Sequence, residues 1–562
     1  MSVAISGGSI ADLPFFDGAS PRSPIQLAIV GCGPRGLQCL DALSRNLSKD
    51  ELAQVEITVF EPSTHPGAGC VYDLKQSRML RMNFATQYID FWKVDRDQTT
   101  SKSGSLIGWL DRNYPEYAAS DQFVPRAVVG EYLHDCFEVV CKRLRRWTKL
   151  NVVRARVESI RHCAAGEANA EVAATTKAMT LNDDEGWWVW DGSEERKFDR
   201  VVLTTGHEGL RSSDEIQSQD TGAFVYPVEN SLSEERIPAG GDVFLRGFGL
   251  TAIDAILMLT EGRGGTFVQG DGLPTYQASG QEPNCIAVHC RSGRPMLAKP
   301  TAKLEPINDR FWEPYRQTLS KHEASHGSVK FCRDIWTVVA EAASELLIRS
   351  GDAVSRRDVE EWFRGWSRYK MDDVSARKAM LQSYGVATGA REMDVPFALG
   401  EAWRQLYPQI VSLISFGGLA EGQWKAYSQT AAEMERIAFG PPAESVAKVL
   451  RLIRDGKVRL CEQNEPSQDS VIVNAVIASP HQANEDGPLS QLILRGDVQV
   501  DPVTEAVRVS ESGSVLGGRK GLAIFGRATE GWVIGNDTLS RTLHQQIQNW
   551  AETIAVDAHS RG

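Results

Sequence analysis

One short segment constrains the fold of this chain more than any other. Ile25–Val30 is an apolar run rich in β-branched residues, which is typical of a buried parallel strand. It leads directly into Gly31-Cys-Gly-Pro-Arg-Gly36, a G-x-G-x-x-G sequence, and then into Leu37–Leu43, whose apolar residues have helical spacing. A strand, a glycine-rich turn and a helix in this order indicate a unit that binds the pyrophosphate of a dinucleotide.

The three glycines of this turn are expected to have separate roles. Gly31 allows the tight turn, Gly33 lets the backbone approach the phosphates, and Gly36 lets the helix pack closely on the strand. A second apolar strand, Val55–Phe60, ends in Glu61, an acid placed where such units bind ribose hydroxyls. An ordinary turn with a solvated Glu61 is the alternative. The predicted first dinucleotide site consists of Gly31, Gly33, Pro34, Arg35, Gly36 and Glu61.

Composition restricts the class of protein. The 562 residues are 42% hydrophobic and 24% charged, as in a soluble globular enzyme with about three or four domains. The net charge of −12 argues against a nucleic-acid partner or an anionic membrane surface. The first 24 residues lack the pattern of a signal peptide, and no run approaches the ~20 apolar residues of a membrane span. We therefore expect a cytoplasmic protein with no nucleic-acid or membrane partner, and a homo-oligomer stays open.

Cysteine and histidine patterns predict no metal site. The ten cysteines contain no C-x-x-C pair, so we expect reduced thiols and no redox-active disulfide. His322-Glu-Ala-Ser-His326 matches H-E-x-x-H, the signature of a zinc-protease helix. Gly327 follows at once and the flanking residues are polar, so we interpret this match as a chance occurrence.

A second segment repeats the strand–turn–helix pattern. Asp242–Arg246 reads as a strand, Gly247-Phe-Gly-Leu-Thr-Ala252 as a G-x-G-x-x-A turn, and Ile253–Thr260 as a helix. The next strand, Cys285–Cys290, is followed by arginines instead of an acid, which favours the 2′-phosphate of NADP over NAD. A solvated turn is the alternative for these arginines. The predicted second site contains Gly247, Gly249, Arg291 and Arg294.

Two dinucleotide sites in one chain indicate hydride transfer from a nicotinamide, most often to a flavin. Without a C-x-x-C pair the electrons cannot pass to a disulfide, which leaves an organic substrate or oxygen. Reduced flavin and O₂ form a C4a-hydroperoxide, which oxygenates a soft nucleophile such as an amine. This chemistry needs no acid–base pair, and we identify no catalytic residue. The predicted cofactors are FAD and NADPH, and the predicted substrates are O₂ and a small amine.

The remaining chain changes character twice. Four segments between 300 and 455 have helical apolar spacing, and short strands return after 455. We therefore predict an α/β fold with two Rossmann-like domains, each built on a parallel sheet, and a helical insertion. The predicted domains are a flexible N-terminal tail at 1–24, a discontinuous FAD-binding domain at 25–205 and 456–562, an NADPH-binding domain at 206–299, and a helical substrate-cap insertion at 300–455.

Several motifs together resemble the bacterial FAD-NAD(P)-binding family. They are Gly31–Gly36, Leu80-Arg-Met-Asn83, Pro125–Leu133, Gly249–Asp254, Ser279–Pro283, Arg291–Pro295, Gly526–Gly531 and Gly535–Leu539. The best understood members are N-hydroxylating monooxygenases such as nitrosuccinate synthase, which act on L-aspartate with FAD and NADPH. The resemblance implies that FAD also lies near Met82 and Asn83 and that NADPH also contacts Thr251.

One departure from the wider two-dinucleotide pattern concerns the ribityl chain of the flavin. Phe525-Gly-Arg527 stands where a Gly-Asp pair is common, so Asn536 or Asp537 is expected to take that role. The predicted activity is N-hydroxylation of a small amino acid, with L-aspartate as the leading substrate. A dicarboxylate needs cationic contacts, for which the candidates are Arg81, Arg126, Arg291 and Lys299. Two alternatives stay open: an FAD-dependent NADPH oxidoreductase acting on another small substrate, and a non-catalytic redox-sensing flavoprotein.

Overall fold

The computed structural model of this chain describes most of its length. The described residues are 23–94, 104–118, 123–163, 186–206, 222–270, 272–301, 304, 306–477, 487–536 and 538–561. The tail predicted at 1–24 lies outside these residues apart from its last two positions.

Strands and helices alternate along the first half of the described chain, and helices dominate its centre. The strands are β1 (Ile25–Val30), β2 (Val55–Phe60), β3 (Leu150–Val153), β4 (Ser159–Cys163), β5 (Gly186–Trp190), β6 (Glu195–Phe198), β7 (Arg200–Leu203), β8 (Ala223–Phe224), β9 (Asp242–Arg246), β10 (Thr266–Val268), β11 (Thr275–Gln277), β12 (Cys285–His289), β13 (Val458–Cys461), β14 (Val471–Asn474) and β15 (Leu522–Ile524). The α-helices are α1 (Pro34–Asn46), α2 (Lys49–Ala53), α3 (Leu106–Asn113), α4 (Arg126–Leu144), α5 (Val228–Ser231), α6 (Leu250–Thr260), α7 (Asp309–Ser320), α8 (Thr337–Arg349), α9 (Arg356–Arg368), α10 (Asp373–Ala387), α11 (Val395–Ile414), α12 (Trp424–Ala438), α13 (Ala443–Arg454), α14 (Pro488–Leu494) and α15 (Gln546–His559).

The first sheet is wholly parallel, with the strand order β15-β7-β1-β2-β3. Its central strand β1 is buried on both faces. Leu27 and Ile29 pack in a core with α1, α4 and α15, whereas Ala28 and Val30 pack in a separate core that contains Trp187. Burial on both faces is the reason that β1 is apolar apart from Gln26, which is only partly buried. Because the strands are parallel, their carboxyl ends meet at one edge of the sheet, where the first glycine turn lies.

The second sheet is also wholly parallel, with the order β13-β12-β9-β14-β8. Helices α6 and α13 contribute Ile256 and Val449 to the core that covers it. The second glycine turn follows the central strand β9, just as the first follows β1. The two glycine turns therefore have equivalent positions in two separate parallel sheets.

The end of the chain is divided between the sheets differently from the prediction. The predicted first domain included all of 456–562, but β13 and β14 pair with β12 and β9 of the second sheet. The chain returns to the first sheet with β15, which pairs with β7. These strands are only four residues long, and their sequence patterns do not specify which parallel neighbour each one joins.

The helical insertion has its own hydrophobic core. Trp312, Ile335 and Trp403 are buried there, among side chains of α7, α8, α9, α11 and α12. The sequence indicated helices at the positions of α8, α9, α11 and α13, of which α13 packs on the second sheet instead. It did not indicate α7, α10 or α12. The interior of α7 holds Pro314, a residue that ordinarily interrupts a helix. A turn of π-helix, Phe331–Trp336, precedes α8.

Two small antiparallel sheets complete the described strands, β4-β5-β6 and the β10-β11 pair. The two parallel sheets and the central helices confirm the predicted α/β fold with a helical insertion. Within the described ranges, no helix combines the length and the apolar character that a bilayer crossing requires.

Candidate dinucleotide sites

The first glycine turn joins β1 to α1 with no space for larger residues. Gly31 has a φ of +84°, a left-handed conformation that favours glycine. A Cβ added there would lie 2.9 Å from the carbonyl oxygen of Thr204, which follows β7. A Cβ on Gly36 would lie 2.4 Å from the carbonyl oxygen of Gly31. Both positions require glycine, and α1 can approach the sheet closely for this reason.

Helix α1 presents its N-terminus at the carboxyl edge of the sheet. Gly33 is its N-cap, no side chain caps its first turn, and Pro34 occupies the first helical position. Because proline has no N–H to satisfy there, it is well suited to that position. The uncapped N–H groups and the helix dipole attract an anion. A second glycine-rich loop bounds the turn, since a Cβ on Gly69 would lie 3.0 Å from the Cα of Gly33.

Glu61 lies at the end of β2, beside this turn. Its Oε2 accepts a hydrogen bond from the backbone N–H of Cys32 at 2.7 Å, and its Oε1 accepts one from Ser63 at 2.9 Å. The residue is buried apart from 7% of its surface. Two backbone donors hold the carboxylate in one orientation, and each oxygen keeps a lone pair for a hydroxyl group.

A cavity of about 300 Å³ follows the carboxyl edge of the first sheet. Its lining includes Gly31, Gly33, Pro34, Arg35, Glu61, Tyr72, Thr204, Thr205, Arg527 and Asn536. The cavity is therefore lined by an uncapped helix N-terminus, by a carboxylate held in one orientation, and by glycine backbone that a ligand can approach closely. These are the groups that receive a pyrophosphate and a ribose, so the residues present fit FAD.

The chain between β15 and α15 closes one side of this cavity. Arg35 donates from Nη2 to the carbonyl oxygens of Asn536 and Thr538, at 3.0 and 3.1 Å. Asn536 lines the cavity, but its amide Nδ2 donates to Thr529 Oγ1 and to the Val533 carbonyl. This amide therefore holds its own loop, and a contact with the ribityl chain stays a prediction. Asp537, the other candidate for that contact, lies outside the described residues.

Met82 and Asn83 have different surroundings from the glycine turn. Met82 is buried in the first core, and the carbonyl of Asn83 accepts a hydrogen bond from Lys299 Nζ. Neither residue belongs to the cavity lining that the described part of the chain forms. Their contact with FAD therefore stays a prediction from the family resemblance.

The second glycine turn is open where it meets α6. Gly247 has a φ of +107°, and Gly249 is the uncapped N-cap of α6. No described atom lies within 4 Å of the position that a Cβ on Gly249 would take. Thr251 and Ala252 are buried in the first turn of the helix. The turn can receive an anion in the same way as the first one.

The strand end beside this turn is covered by the insertion. The N–H of Met371 donates to the Ser292 carbonyl at 2.9 Å, and a Cβ on Gly293 would lie 1.9 Å from the Met371 carbonyl oxygen. A space of about 20 Å³ remains between Phe248 and Met371. The glycine turn thus fits the pyrophosphate of a dinucleotide, whereas the end of β12 has no room for its adenosine in this arrangement.

The two arginines predicted to select NADP have different environments. Arg291 is exposed at the end of β12. Arg294 is buried and forms a bidentate ion pair with Glu433 of α12, at 2.8 and 2.6 Å, while Nη1 donates to the Tyr369 carbonyl. The structure therefore gives the Arg294 guanidinium a partner inside the protein, and Arg291 is the one of the pair that can reach a ligand.

The cationic residues proposed for a dicarboxylate substrate are not gathered in one cavity. Arg81 stacks over the ring of Tyr117, and Arg126 is buried in an ion pair with Asp254. Lys299 is buried, and its Nζ donates to the Asn83 carbonyl. Burial, and then the neighbouring Arg404, lower the pKa of Lys299 to about 7. A substrate role for Arg81, Arg126, Arg291 or Lys299 stays a prediction.

Sequence reasoning missed part of the cavity lining. Thr204 and Thr205 reach it directly after β7, and Arg527 reaches it after β15. The signal that could have found them is positional, because ligands of parallel sheets lie beyond the carboxyl ends of the strands. Using that signal requires the strand order, which short apolar runs do not reveal.

The two histidines at 322 and 326 do not lie on a helix of the zinc-protease type. Helix α7 ends at Ser320, and a single 3₁₀ turn, Glu323–Ser325, separates the two histidines. His326 Nε2 lies 2.9 Å from the Ser415 carbonyl. Among the residues that the structure describes, no three His, Cys, Asp or Glu side chains are grouped as metal ligands.

Residues 28–208 match the model of the family described as FAD-NAD(P)-binding. The matched region begins in β1, contains the first glycine turn and Glu61, and extends past β7. This match confirms the resemblance inferred from the motifs.

Known proteins of similar sequence include two curated enzymes. L-aspartate N-monooxygenase (nitrosuccinate-forming) of Streptomyces davaonensis is 27% identical over 398 residues, which are 64% of this chain and 58% of that protein. Nitrosuccinic acid synthase of Aspergillus oryzae is 28% identical over 343 residues, 56% of this chain and 48% of that protein. The chain thus spans about half the length of these relatives. An open crystal structure of cyclohexanone monooxygenase, 14% identical, matches 96% of this chain and 88% of its own with a TM-score of 0.45.

Proposed function

We propose that this protein is an FAD- and NADPH-dependent monooxygenase that N-hydroxylates the amine of a small amino acid, with L-aspartate as the leading substrate. The observation that carries the proposal is the first glycine turn with Glu61, both inside the region that matches an FAD-NAD(P)-binding family, and the cavity that they help to line. The names of the two curated relatives, an L-aspartate N-monooxygenase and a nitrosuccinic acid synthase, support the reaction and the substrate.

We assign the cofactors to the two sheets. FAD is assigned to the first unit, formed by 25–205 and the chain from β15 onward. NADPH is assigned to the second unit, formed by 222–299 with α13, β13 and β14. The insertion that carries α7 to α12 is assigned the role of a cap over the substrate.

The residues of the first cavity have defined tasks in this assignment. Bound FAD supplies hydride acceptance and the activation of O₂. The uncapped N-terminus of α1 stabilises the charge of the diphosphate, and Glu61 accepts hydrogen bonds from ribose hydroxyls. Oxygen transfer to an unprotonated amine requires the protein to orient the reactants and exclude water.

Binding of NADPH requires a rearrangement in this proposal. The adenosine end of the second site is covered by the contacts between Met371 and the turn at 292–293. We assign Arg291 to the 2′-phosphate, because its guanidinium is exposed beside the covered strand end. The segment 369–373 would have to leave β12 before the adenosine enters.

The test is a panel of amines offered to the purified protein. We expect a yellow protein that contains FAD. It should oxidise NADPH faster with L-aspartate than without it, and the hydroxylamine product should form at the same rate. If no amino acid or polyamine accelerates NADPH oxidation, the N-hydroxylation proposal is refuted. NADPH oxidation that is independent of amines would support an oxidoreductase acting on another small substrate. Bound FAD with negligible NADPH turnover would support a redox-sensing flavoprotein.

A further inference from the structure

A largely buried charge cluster connects the two units that carry the glycine turns: the side chains of Arg126 and Asp254 are 13% and 9% exposed, and Tyr226 is partly buried. Arg126 Nη2 lies 2.8 Å from Asp254 Oδ2, and Arg126 Nη1 donates to the hydroxyl of Tyr226 at 2.6 Å. The same hydroxyl donates to Asp254 Oδ2 at 2.5 Å, which closes a triangle. The third nitrogen of the Arg126 guanidinium, Nε, donates to the Arg81 carbonyl at 3.1 Å. Each nitrogen of this buried arginine therefore has a partner within the protein.

The three members of the cluster come from two units, one from the first and two from the second. Arg126 is the first residue of α4, a helix whose Val129 and Tyr132 belong to the first core. Asp254 is on α6, the helix that begins at the second glycine turn. Tyr226 follows β8, an edge strand of the second sheet. The ion pair thus joins the N-terminus of a first-unit helix to the helix of the second glycine turn.

An apolar contact accompanies the charge cluster. Leu80 is fully buried in the core of the second sheet, although Met82, two residues later, is buried in the first core. The backbone of Leu80 accepts a hydrogen bond from Arg126 N–H at 2.8 Å, and Met82 N–H donates to Val124. The short pairing between 80–82 and 124–126 therefore lies across the junction between the units.

A buried ion pair is weak evidence for stability, because desolvation offsets much of the attraction between the two charges. Separating the partners is costly, because each charge then loses its counter-charge in a largely buried place. A shift between the units by about an ångström would leave a buried charge without its partner. Hydride transfer is comparably sensitive, because reacting atoms must come within about 3–3.5 Å.

We propose that Arg126, Tyr226 and Asp254 are positioning residues that set the distance and angle between the two glycine turns. They act through the helices α4 and α6 and contact neither predicted cofactor. The consequence for flavin reduction rests on the proposed function, whereas the consequence for the geometry of the units does not.

The test compares Tyr226→Phe and Asp254→Asn with a matched control. Tyr226→Phe removes one hydroxyl from the cluster and keeps the ring, so it is the milder change. The control is Asp191→Asn, which removes a buried carboxylate from an ion pair with Arg196 inside the first unit. We expect both cluster variants to keep their FAD and their reduction by dithionite. Reduction by NADPH under anaerobic conditions is expected to slow at least about tenfold, and the control should match the wild type.

Hydrogen–deuterium exchange provides the readout that does not depend on turnover. Amides of 226–231 and of α6 should exchange faster in both cluster variants, with no change in β1 or β2. Wild-type exchange together with wild-type reduction by NADPH in Tyr226→Phe would overturn the inference. If the wild type itself is not reduced by NADPH, the proposed function fails and the exchange experiment alone decides the inference. If Asp254→Asn does not fold, Tyr226→Phe decides both readouts.

Discussion

Gly36 is the residue at which one added methyl group should be most harmful to cofactor binding. Its Cβ would lie 2.4 Å from a backbone oxygen of the first glycine turn, so α1 or the turn must move. We expect Gly36→Ala to weaken FAD binding at least about tenfold, which corresponds to about 1.4 kcal/mol. FAD titration followed by fluorescence quenching measures this change.

The control for this change is another glycine. Gly365 lies inside α9 with no described atom within 4 Å of its Cβ position. Because alanine favours helices over glycine by about 1 kcal/mol, Gly365→Ala should keep FAD affinity and raise stability slightly. Equal FAD affinity in Gly36→Ala and the wild type would show that the glycine turn is not the flavin site.

Lys299 is the side chain with the clearest pH dependence. It is buried between the rings of Phe84 and Phe439, 5.7 Å from each, and its Nζ donates to the Asn83 carbonyl. Burial, and then Arg404, lower its pKa from 10.5 to about 7, while Glu401 and Glu435 act in the opposite direction. Above pH 7 the unfolded chain still binds a proton that the folded protein has released. Stability therefore rises with pH through this window, by about 1.4 kcal/mol per unit from this group.

We expect Lys299→Met to remove this part of the pH dependence. The slope of unfolding free energy against pH, measured by urea denaturation from pH 7 to 8.5, should be smaller than in the wild type by about 1.4 kcal/mol per unit. The exposed Lys321 supplies the control, since Lys321→Met should keep the wild-type slope. Identical slopes in all three proteins would mean that Lys299 stays protonated when folded.

At the scale of elements, a largely buried ion pair is among the contacts that attach the insertion to the second sheet. Arg294 follows β12, and its partner Glu433 is on α12, where Trp366 of α9 also donates to Glu433 Oε2 at 3.0 Å. We expect Arg294→Met to lower the unfolding free energy by about 3 kcal/mol, because it leaves a largely buried carboxylate without its cationic partner. Thermal and urea denaturation measure the loss.

This substitution also separates two roles for Arg294. As a structural partner of Glu433 it should change stability and leave the KM for NADPH unchanged. A large rise in KM at unchanged stability would restore the 2′-phosphate role that the sequence predicted. The i,i+4 pair Arg356–Glu360 at the surface is the control, since Arg356→Ala should cost less than about 0.5 kcal/mol.

Elements beside the glycine turns were predictable, and elements far from them were less so. β1, α1, β9 and α6 were each indicated by local patterns, because apolar periodicity and glycine spacing act over a few residues. The membership of β13 and β14 was not predictable, because pairing with β12 and β9 is a contact across long sequence separations. The contact by which the segment 369–373 covers the end of β12 was not predicted for the same reason.

On the scale of the whole molecule, the described chain contains separate hydrophobic cores for the two sheets and the insertion. A ligand that binds one unit should therefore stabilise that unit more than the other parts of the molecule. FAD at 100 times its Kd should add about 2.7 kcal/mol to the stability of the first unit. Hydrogen–deuterium exchange should show slower opening of β1 and α1 with FAD, and unchanged exchange in α7 and α8.

The matched control for this prediction is the same titration with Gly36→Ala. In this variant, FAD should slow the exchange of β1 and α1 only at higher FAD concentrations, in proportion to the loss in affinity. Equal protection of the first core and the insertion core would indicate that the molecule opens as one cooperative unit, whereas protection of the insertion core alone would contradict the assignment of FAD to the first sheet. Chemical denaturation alone cannot make this distinction, because a chain with several cores need not unfold in two states.

Local sequence patterns were sufficient to predict the two glycine turns, their strand and helix partners, and the α/β class. These features depend on local chemistry: glycine for backbone space, apolar runs for burial, and an acid at the end of a strand. Three features became visible only in the folded chain: the sheet that each late strand joins, the pairing of Arg294 with Glu433, and the contact of Arg126 with Tyr226 and Asp254. Each of these is a contact between residues far apart in the chain, and its free energy arises only when folding brings both partners out of water together.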